Sequence, residues 1–142
     1  MNQHQAMWIE GAGGKALCAG ADIKSIFGGS LSIEEKRAFF KKQFKLNYEM
    51  TRVNAIKIAC WDGVVMGAGF SLTAHCPFII ATENTKFAMP ETKIGFITIV
   101  NYVLSRLRSN IGYYLAITSD ILYGEDVYIS GLANYFVPSS RL

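Results

Sequence analysis

Short apolar runs alternate with helical segments along the chain, and this alternation restricts the fold more than any other feature. The runs Ile56–Cys60 and Phe78–Thr82 have the length and the branched side chains that are typical of strands. A serine followed three residues later by a glutamate forms a capping box, which opens a helical stretch over Ser32–Arg52. Because strands separated by helices usually pair in parallel, the pattern predicts an α/β fold with mostly parallel sheets.

The other segments continue this pattern. Along this helical stretch and the residue that follows it, the spacing predicts that Phe39, Leu46, Met50 and Val53 share one face. The other predicted strands are Met7–Ile9, Ala16–Ala19, Lys86–Met89 and Tyr135–Val137, and the other predicted helices are Met66–His75, Val100–Asn110, Gly112–Thr118 and Glu125–Gly131.

The composition is unusually apolar for a chain of 142 residues. Apolar types make up 51% of the residues, and charged residues only 18%. An average soluble domain has about 25% charged residues, and a small domain has proportionally more surface to cover with them. We therefore expect part of the apolar surface to be buried against something outside this chain.

Basic residues cluster on the predicted helix between positions 36 and 45. Two interpretations stay open for them, a solvated helix face and a surface that contacts phosphate or RNA. The members of the cluster are Lys36, Arg37, Lys41, Lys42 and Lys45.

The cysteines and histidines predict neither disulfides nor a metal site. Cys18, Cys60 and Cys76 are widely spaced within apolar stretches, which favours buried free thiols in a reducing compartment. The two histidines, His4 and His75, belong to no pattern of metal ligands. The stretch 63–82 has no charged residue, but its glycines and a proline favour a buried core segment over a membrane helix.

Three glycine-rich turns are candidates for ligand contacts. Gly11-x-Gly13-x-x-Ala16 fits a dinucleotide fingerprint on paper, but the residues after it look extended, which favours a plain tight turn. Gly20–Asp22 follows a predicted strand, and Gly67–Gly69 opens a predicted helix. Free backbone N–H groups in two such turns can form an oxyanion hole, while close packing of helix on strand explains small residues equally well.

One acidic residue follows a buried strand directly. Glu91 lies in the segment Met89–Thr92, where either a functional carboxylate or a solvated turn residue fits the pattern.

Three segments together resemble the crotonase superfamily. Gly11–Lys24 (GAGGKALCAGADIK) is similar to its first oxyanion segment and Trp61–Leu72 (WDGVVMGAGFSL) to its second, while Ala81–Phe96 (ATENTKFAMPETKIGF) is closer still. Within the superfamily, the tail from Gly112 resembles the 3-hydroxyisobutyryl-CoA hydrolases. The resemblance implies a ββα superhelix with parallel sheet layers. It also implies one partial domain over residues 1–142, incomplete at both ends: the family's N-terminal strands and C-terminal helical part are absent.

The resemblance also implies a set of site residues. The thioester carbonyl of an acyl-CoA would lie between the backbone N–H groups of Ala21 and Ala68, with Glu91 as a catalytic glutamate. Substrate-binding positions implied in the same way are Gly20, Asp22, Gly67 and Gly69. No metal is implied, and no cofactor beyond the coenzyme A of the substrate itself.

Two departures from the hydrolase pattern concern catalysis. A second acidic residue of the hydrolases aligns with Gln43, and an aspartate-bearing segment aligns with Gly95–Asn101, which has no carboxylate. Ser71 stands where the hydratases carry their other catalytic glutamate, which counts against hydratase or isomerase chemistry; the hydrolases lack that glutamate too, so Ser71 is normal for them. Thioester hydrolysis needs a base to position water and an acid for the leaving thiolate, so impaired catalysis is expected.

The expected function is therefore acyl-CoA thioester binding with impaired hydrolysis. The alternative is a non-catalytic structural subunit of a large assembly, such as the small subunit of the mitochondrial ribosome, to which relatives of the family belong. Both alternatives imply a mitochondrial location. The expected partners are other protein chains that complete the fold, with ribosomal proteins and RNA under the second alternative, and no membrane insertion.

Overall fold

Eight strands and six α-helices make up the residues described in the computed structural model, which are 5–98 and 100–142. The N-terminal positions, including His4, lie outside the described residues. The strands are β1 (Ala6–Ile9), β2 (Ala16–Cys18), β3 (Ile56–Trp61), β4 (Val64–Met66), β5 (Phe78–Ala81), β6 (Lys86–Ala88), β7 (Leu122–Tyr123) and β8 (Tyr135–Phe136). The helices are α1 (Ile23–Phe27), α2 (Ile33–Arg52), α3 (Ala68–Thr73), α4 (Asn101–Leu104), α5 (Ile111–Thr118) and α6 (Glu125–Ile129). Short 3₁₀ helices lie at Pro90–Ile94, Arg108–Asn110 and Ser139–Arg141.

The first six strands alternate between two sheets. One sheet has the order β1-β3-β5-β8 and the other β2-β4-β6-β7. All pairs are parallel except β6 with β7. Each of the first three strand pairs is followed by helix before the chain returns to the first sheet, which is the ββα repeat of a superhelix. The predicted α/β fold with mostly parallel pairing is confirmed.

An aromatic cluster forms the centre of the core. The ring of Trp61 stacks on that of Phe87, with centroids 5.8 Å apart, and Phe70 meets Phe87 edge-on at 5.0 Å. All three side chains are buried. The indole Nε1 donates a hydrogen bond to Thr73 Oγ1 over 3.1 Å, so the buried polar atom of the tryptophan is satisfied. These contacts fix α3 against both sheets.

Helix α2 begins with the predicted capping box, but one member of its predicted inward face, Leu46, points outward. Ser32 accepts a hydrogen bond from the Glu35 amide, and the Glu35 carboxylate accepts one from Ser32 N. Leu46 is exposed, whereas Gln43 faces inward, and no side chain of α2 is fully buried. Among the helices and strands, α2 packs chiefly against α3, so the apolar spacing overstated how much of the helix is enclosed.

The two isoleucines of strand β3 are not among its buried residues. Lys57 and Ala59 are buried, while Ile56 is exposed. The Lys57 ammonium donates to the carbonyl oxygen of Met50 over 2.6 Å, close to the C-terminus of α2. A cation is favourable there because the last carbonyls of a helix carry partial negative charge, which offsets the burial of the lysine.

Other predictions need smaller corrections. Of the helix predicted over Val100–Asn110, only α4 is α-helical. A separate 3₁₀ turn with a positive φ at Ser109 lies at the end of the predicted range. Phe78 is partly exposed, so β5 is not enclosed on both faces. The sequence patterns also missed α1, β4 and β7, each too short to show periodicity.

The cysteines agree with the prediction of free thiols in apolar stretches. All three cysteines are free; Cys60 and Cys76 are buried and Cys18 is half-buried. Burial raises the pKa of the Cys60 and Cys76 thiols. Within the described ranges, no helix has both the length and the apolarity to cross a membrane, and no three metal-ligating side chains come together.

Candidate functional site

Three neighbouring parallel strands end at the same edge of the second sheet. The turn after β2 supplies Gly20 and Ala21, the turn after β4 supplies Gly67 and Ala68, and the turn after β6 supplies Glu91. All five residues line one cavity of about 180 Å³. Because ligands of open parallel sheets bind at the carboxyl ends of the strands, this cavity is the candidate site.

The first two turns approach each other closely through their glycines. A methyl group at Gly20 would lie 3.2 Å from the carbonyl oxygen of Met66 and 3.8 Å from the amide nitrogen of Ala68. Gly20 and Gly67 both have positive φ, at +107° and +50°, which other residues rarely adopt. No backbone carbonyl among the described residues accepts a hydrogen bond from the amide of Ala21 or Ala68. Both N–H groups are therefore available to a ligand.

Glu91 is a buried carboxyl group inside the cavity. Its side chain is 8% exposed, and Oε2 has no hydrogen-bond partner in the described part of the chain. Its Oε1 would lie 3.0 Å from a methyl group placed on Gly67, so the carboxyl group borders the second turn. Loss of solvent raises the pKa of Glu91 above its ordinary value, and a hydrogen bond from its own backbone amide opposes this weakly.

The turn that carries Glu91 is tied to the end of α5. Thr92 Oγ1 and Ser119 Oγ lie 2.6 Å apart, and the Lys93 ammonium donates to the Ser119 carbonyl oxygen over 3.1 Å. Ser119 is buried and has a positive φ of 56°. These bonds fix the 3₁₀ turn and hold the glutamate in a poorly solvated position.

The raised pKa predicts how Glu91 affects stability. A carboxyl group with a raised folded-state pKa favours folding below its unfolded pKa and loses this contribution as pH rises through the folded value. Glu91→Gln removes the ionisation and nearly preserves the shape. We expect it to raise the melting temperature at pH 7 relative to the unmodified protein, with a smaller gain at pH 4. Scanning calorimetry at both pH values measures this, and an equal effect at the two pH values would contradict it.

Gln43 and a set of apolar side chains close the cavity opposite the turns. The Gln43 Oε1 atom is buried without a hydrogen-bond partner among the described residues. The ring of Phe40 stacks on that of Phe96 with centroids 5.5 Å apart, and Phe27 meets Phe96 edge-on at 6.1 Å. Further lining residues are Ala19, Ile23, Ile26, Pro90 and Ile94. The wall is apolar apart from Gln43 and Glu91.

Three residues singled out by the sequence do not line the cavity. Asp22 caps α1, accepting hydrogen bonds from Ser25 N at 3.2 Å and Ser25 Oγ at 2.6 Å, and these bonds lower its pKa. Gly69 packs against β2, where a methyl group would lie 2.2 Å from the Cys18 carbonyl oxygen. Ser71 is buried and donates to the Ala68 carbonyl oxygen. Close packing, one of the two alternatives that the sequence left open, thus explains Gly69, while Gly67 lines the cavity.

Sequence reasoning missed the aromatic wall. Phe27 lies just beyond the first motif segment and Phe96 ends the third, but nothing in their spacing relates them to each other or to Phe40. The proximity of Phe96 to the Met89–Thr92 motif was the one available signal.

Comparison with known proteins agrees with this geometry. A family profile described as enoyl-CoA hydratase/isomerase matches residues 1–142. The chain is 40% identical over 144 residues to the mitochondrial 3-hydroxyisobutyryl-CoA hydrolase of Dictyostelium discoideum, covering 94% of this chain and 38% of that protein. It is also 40% identical over 140 residues to the small ribosomal subunit protein mS47 of Neurospora crassa, covering 94% of this chain and 28% of that protein. The chain therefore spans well under half the length of these relatives.

Solved structures show the same architecture. A carnitinyl-CoA dehydratase from Mycobacterium thermoresistibile superposes with a TM-score of 0.86 at 34% identity, over 96% of this chain and 41% of the other. An enoyl-CoA hydratase from Bacillus anthracis gives a TM-score of 0.87 at 27% identity, over 96% of this chain and 53% of the other. Together with the profile that matches the whole sequence, these similarities establish that the chain belongs to the enoyl-CoA hydratase/isomerase family, the crotonase superfamily.

Proposed function

We propose that this chain forms the acyl-CoA thioester site of a protein similar to the 3-hydroxyisobutyryl-CoA hydrolases, with strongly reduced hydrolysis. The observation that carries the proposal is the convergence of the Gly20–Ala21 turn, the Gly67–Ala68 turn and Glu91 on one cavity. Two unengaged backbone N–H groups beside a buried carboxyl group suit a carbonyl that develops negative charge during the reaction. The similarity to hydrolases at 40% identity supports the choice of thioester.

The roles in such a site follow from its chemistry. The thioester oxygen would accept hydrogen bonds from the amides of Ala21 and Ala68, while the acyl chain lies against the apolar wall. Glu91, when ionised, would accept a proton from water attacking the carbonyl carbon. Collapse of the tetrahedral intermediate then breaks the carbon–sulfur bond and releases the coenzyme A thiolate. Asp22 and Gly69, which line no part of the cavity, would support the turns that hold these groups.

The shortage of acidic groups is the reason for proposing reduced activity. Among the described residues that line the cavity, Glu91 is the one with an ionisable side chain. Gln43, which faces the same cavity, cannot exchange a proton at neutral pH. The chain needs no cofactor under this proposal, because coenzyme A arrives as part of the substrate. A mitochondrial location is part of the proposal and is supported by the names of the hydrolase relatives.

We therefore predict binding without efficient turnover. Each missing acid–base group typically lowers the rate by about 10²–10⁴-fold. The full natural polypeptide should hydrolyse 3-hydroxyisobutyryl-CoA more slowly than about 1 s⁻¹, while still binding the thioester. Thiol release measured by a colorimetric reagent and binding measured by calorimetry test the two parts separately. Turnover above that rate would contradict the impairment, and absent binding would contradict the proposed function itself.

A second function is favoured by a specific observation. The ribosomal protein relative is as similar to this chain as the hydrolase is, at 40% identity. Under this alternative the protein is a structural subunit whose partners are ribosomal proteins and RNA. Sedimentation of the endogenous protein in a sucrose gradient discriminates the two: comigration with a ribosomal subunit at moderate salt supports the structural function, and a light, RNA-free fraction supports the enzyme-like one.

A further inference from the structure

An apolar stripe with basic neighbours runs along the outside of α2. Ile33 and Phe44 are 64% and 51% exposed. With the half-buried Phe40 between them they follow the spacing of one helix face. Lys36, Arg37 and Lys41 lie beside them and complete the wall of a shallow groove. We name these six residues the α2 groove.

Helix α2 has more basic than acidic residues. α2 contains six basic and three acidic residues, a formal charge of +3 that equals the net charge of the whole chain. One of the carboxylates, that of Glu35, is engaged with Ser32 in the capping box at 2.8 Å. The cations bordering the groove are thus not balanced within α2, and they favour an acidic occupant.

The apolar floor favours a protein segment over RNA. Nucleic acid is usually held on such surfaces by bases stacking on open aromatic faces. Here the ring of Phe40 already stacks on Phe96 and meets Phe39 edge-on at 5.4 Å, and Ile33 has no aromatic face. Phe44 is the one exposed ring of the groove. An apolar side chain inserted between Ile33, Phe40 and Phe44 is the better match.

From these observations we infer that the α2 groove docks an acidic amphipathic helix of a partner protein. The stripe from Ile33 to Phe44 is about 16 Å long at 1.5 Å per residue, which accommodates about three turns of a partner helix. Leucine-like residues of that helix would occupy the floor, and glutamates or aspartates at its flanks would pair with Lys36, Arg37 and Lys41. This site is separate from the thioester cavity, from which it is divided by Phe40.

The test uses a designed peptide and charge reversal in the full natural polypeptide. The probe is a fluorescent helical peptide of about three turns with leucines at one face and glutamates beside them. A second peptide has lysines in place of the glutamates. We expect the acidic peptide to bind more tightly than the basic one. Its affinity should fall about tenfold in the double variant Arg37→Glu/Lys41→Glu, since two exposed ion pairs with the peptide are lost.

A matched control lies on the same helix. At 100° per residue, Lys42 points about 170° away from the centre of the stripe. Lys42→Glu should therefore leave peptide affinity nearly unchanged, and circular dichroism should show all variants folded. Equal binding of both peptides, or an equal loss in the Lys42→Glu variant, would overturn the inference. So would single-stranded RNA binding in place of the acidic peptide, or failure of both peptides to bind because another part of the same polypeptide fills the groove.

Discussion

Replacing Gly69 with alanine is expected to lower the free energy of unfolding by about 3 kcal/mol, at the upper end of typical over-packing costs. The added methyl group would lie 2.2 Å from the carbonyl oxygen of Cys18, 2.8 Å from its Cβ and 2.9 Å from its carbonyl carbon. Two of these atoms belong to the backbone of β2, so relief requires α3 to move away from the sheet. Because α3 begins at Ala68, that movement also displaces the second turn of the cavity.

Denaturant unfolding and thioester binding measure the two consequences of this substitution. Gly131→Ala is the control, since its methyl group would meet nothing within 4 Å. Its positive φ of 80° still makes alanine unfavourable, at about 1 kcal/mol. We expect the control to retain ligand affinity and the Gly69 variant to lose it. Equal stability losses together with unchanged ligand affinity in both variants would show that Gly69 does not position the second turn.

The sequence predicted the architecture well because the periodicity of apolar residues and the order of the motifs can be read without knowing the three-dimensional structure. The strand–helix alternation, the capping box at Ser32 and the buried strand before Pro90 all follow from local chemistry. The motif segments also identified the turns that meet at the cavity, because parallel neighbouring strands bring their carboxyl ends together. These features depend on neighbours in sequence or on one rule of topology.

The inward faces were harder to predict, because they depend on which elements are present to cover each side. Periodicity shows that α2 is amphipathic, but the side that packs is set by its contacts with α3 and Phe96, and this places Gln43 inside and Leu46 outside. The same limit applies to Lys57, whose burial depends on the carbonyl of Met50 seven residues earlier. Tertiary contacts of this kind cannot be predicted from the local spacing of apolar residues.

Some of the many apolar residues in the composition lie exposed on the surface of the structure. Ile97, Ile117 and Ile129 are 77%, 72% and 71% exposed, the highest values among the large apolar side chains of the described residues. The excess of apolar residues in the sequence predicted that part of the surface is buried against something outside the chain. The relatives are more than twice as long as this chain and include further polypeptide. The prediction of a partial domain completed by other protein remains a prediction, and the α2 groove names one surface at which it can be tested.

The substitution Gln43→Glu is expected to raise the hydrolysis of 3-hydroxyisobutyryl-CoA by about 100-fold, the low end of a typical acid–base contribution. Gln43 is already oriented into the cavity, and its Oε1 atom is buried without a partner in the described part of the chain. A glutamate of the same length would place an ionisable oxygen where the amide oxygen now lies. Burial and the nearby Glu91 would raise the pKa of one of the two carboxyl groups, which provides an acid and a base at neutral pH.

Two further variants make the test specific. Gln43→Ala removes the amide without adding a proton donor and should leave the rate near that of the natural protein. Adding Glu91→Gln to the Gln43→Glu variant should abolish most of the gain, because the gain requires both carboxyl groups to act together. Steady-state release of coenzyme A measures all the variants, and a titration of rate against pH should be bell-shaped for Gln43→Glu alone. A folded Gln43→Glu protein with an unchanged rate would show that Gln43 is not what limits catalysis, and the carboxylate-free segment Gly95–Asn101 would then be the limiting loss.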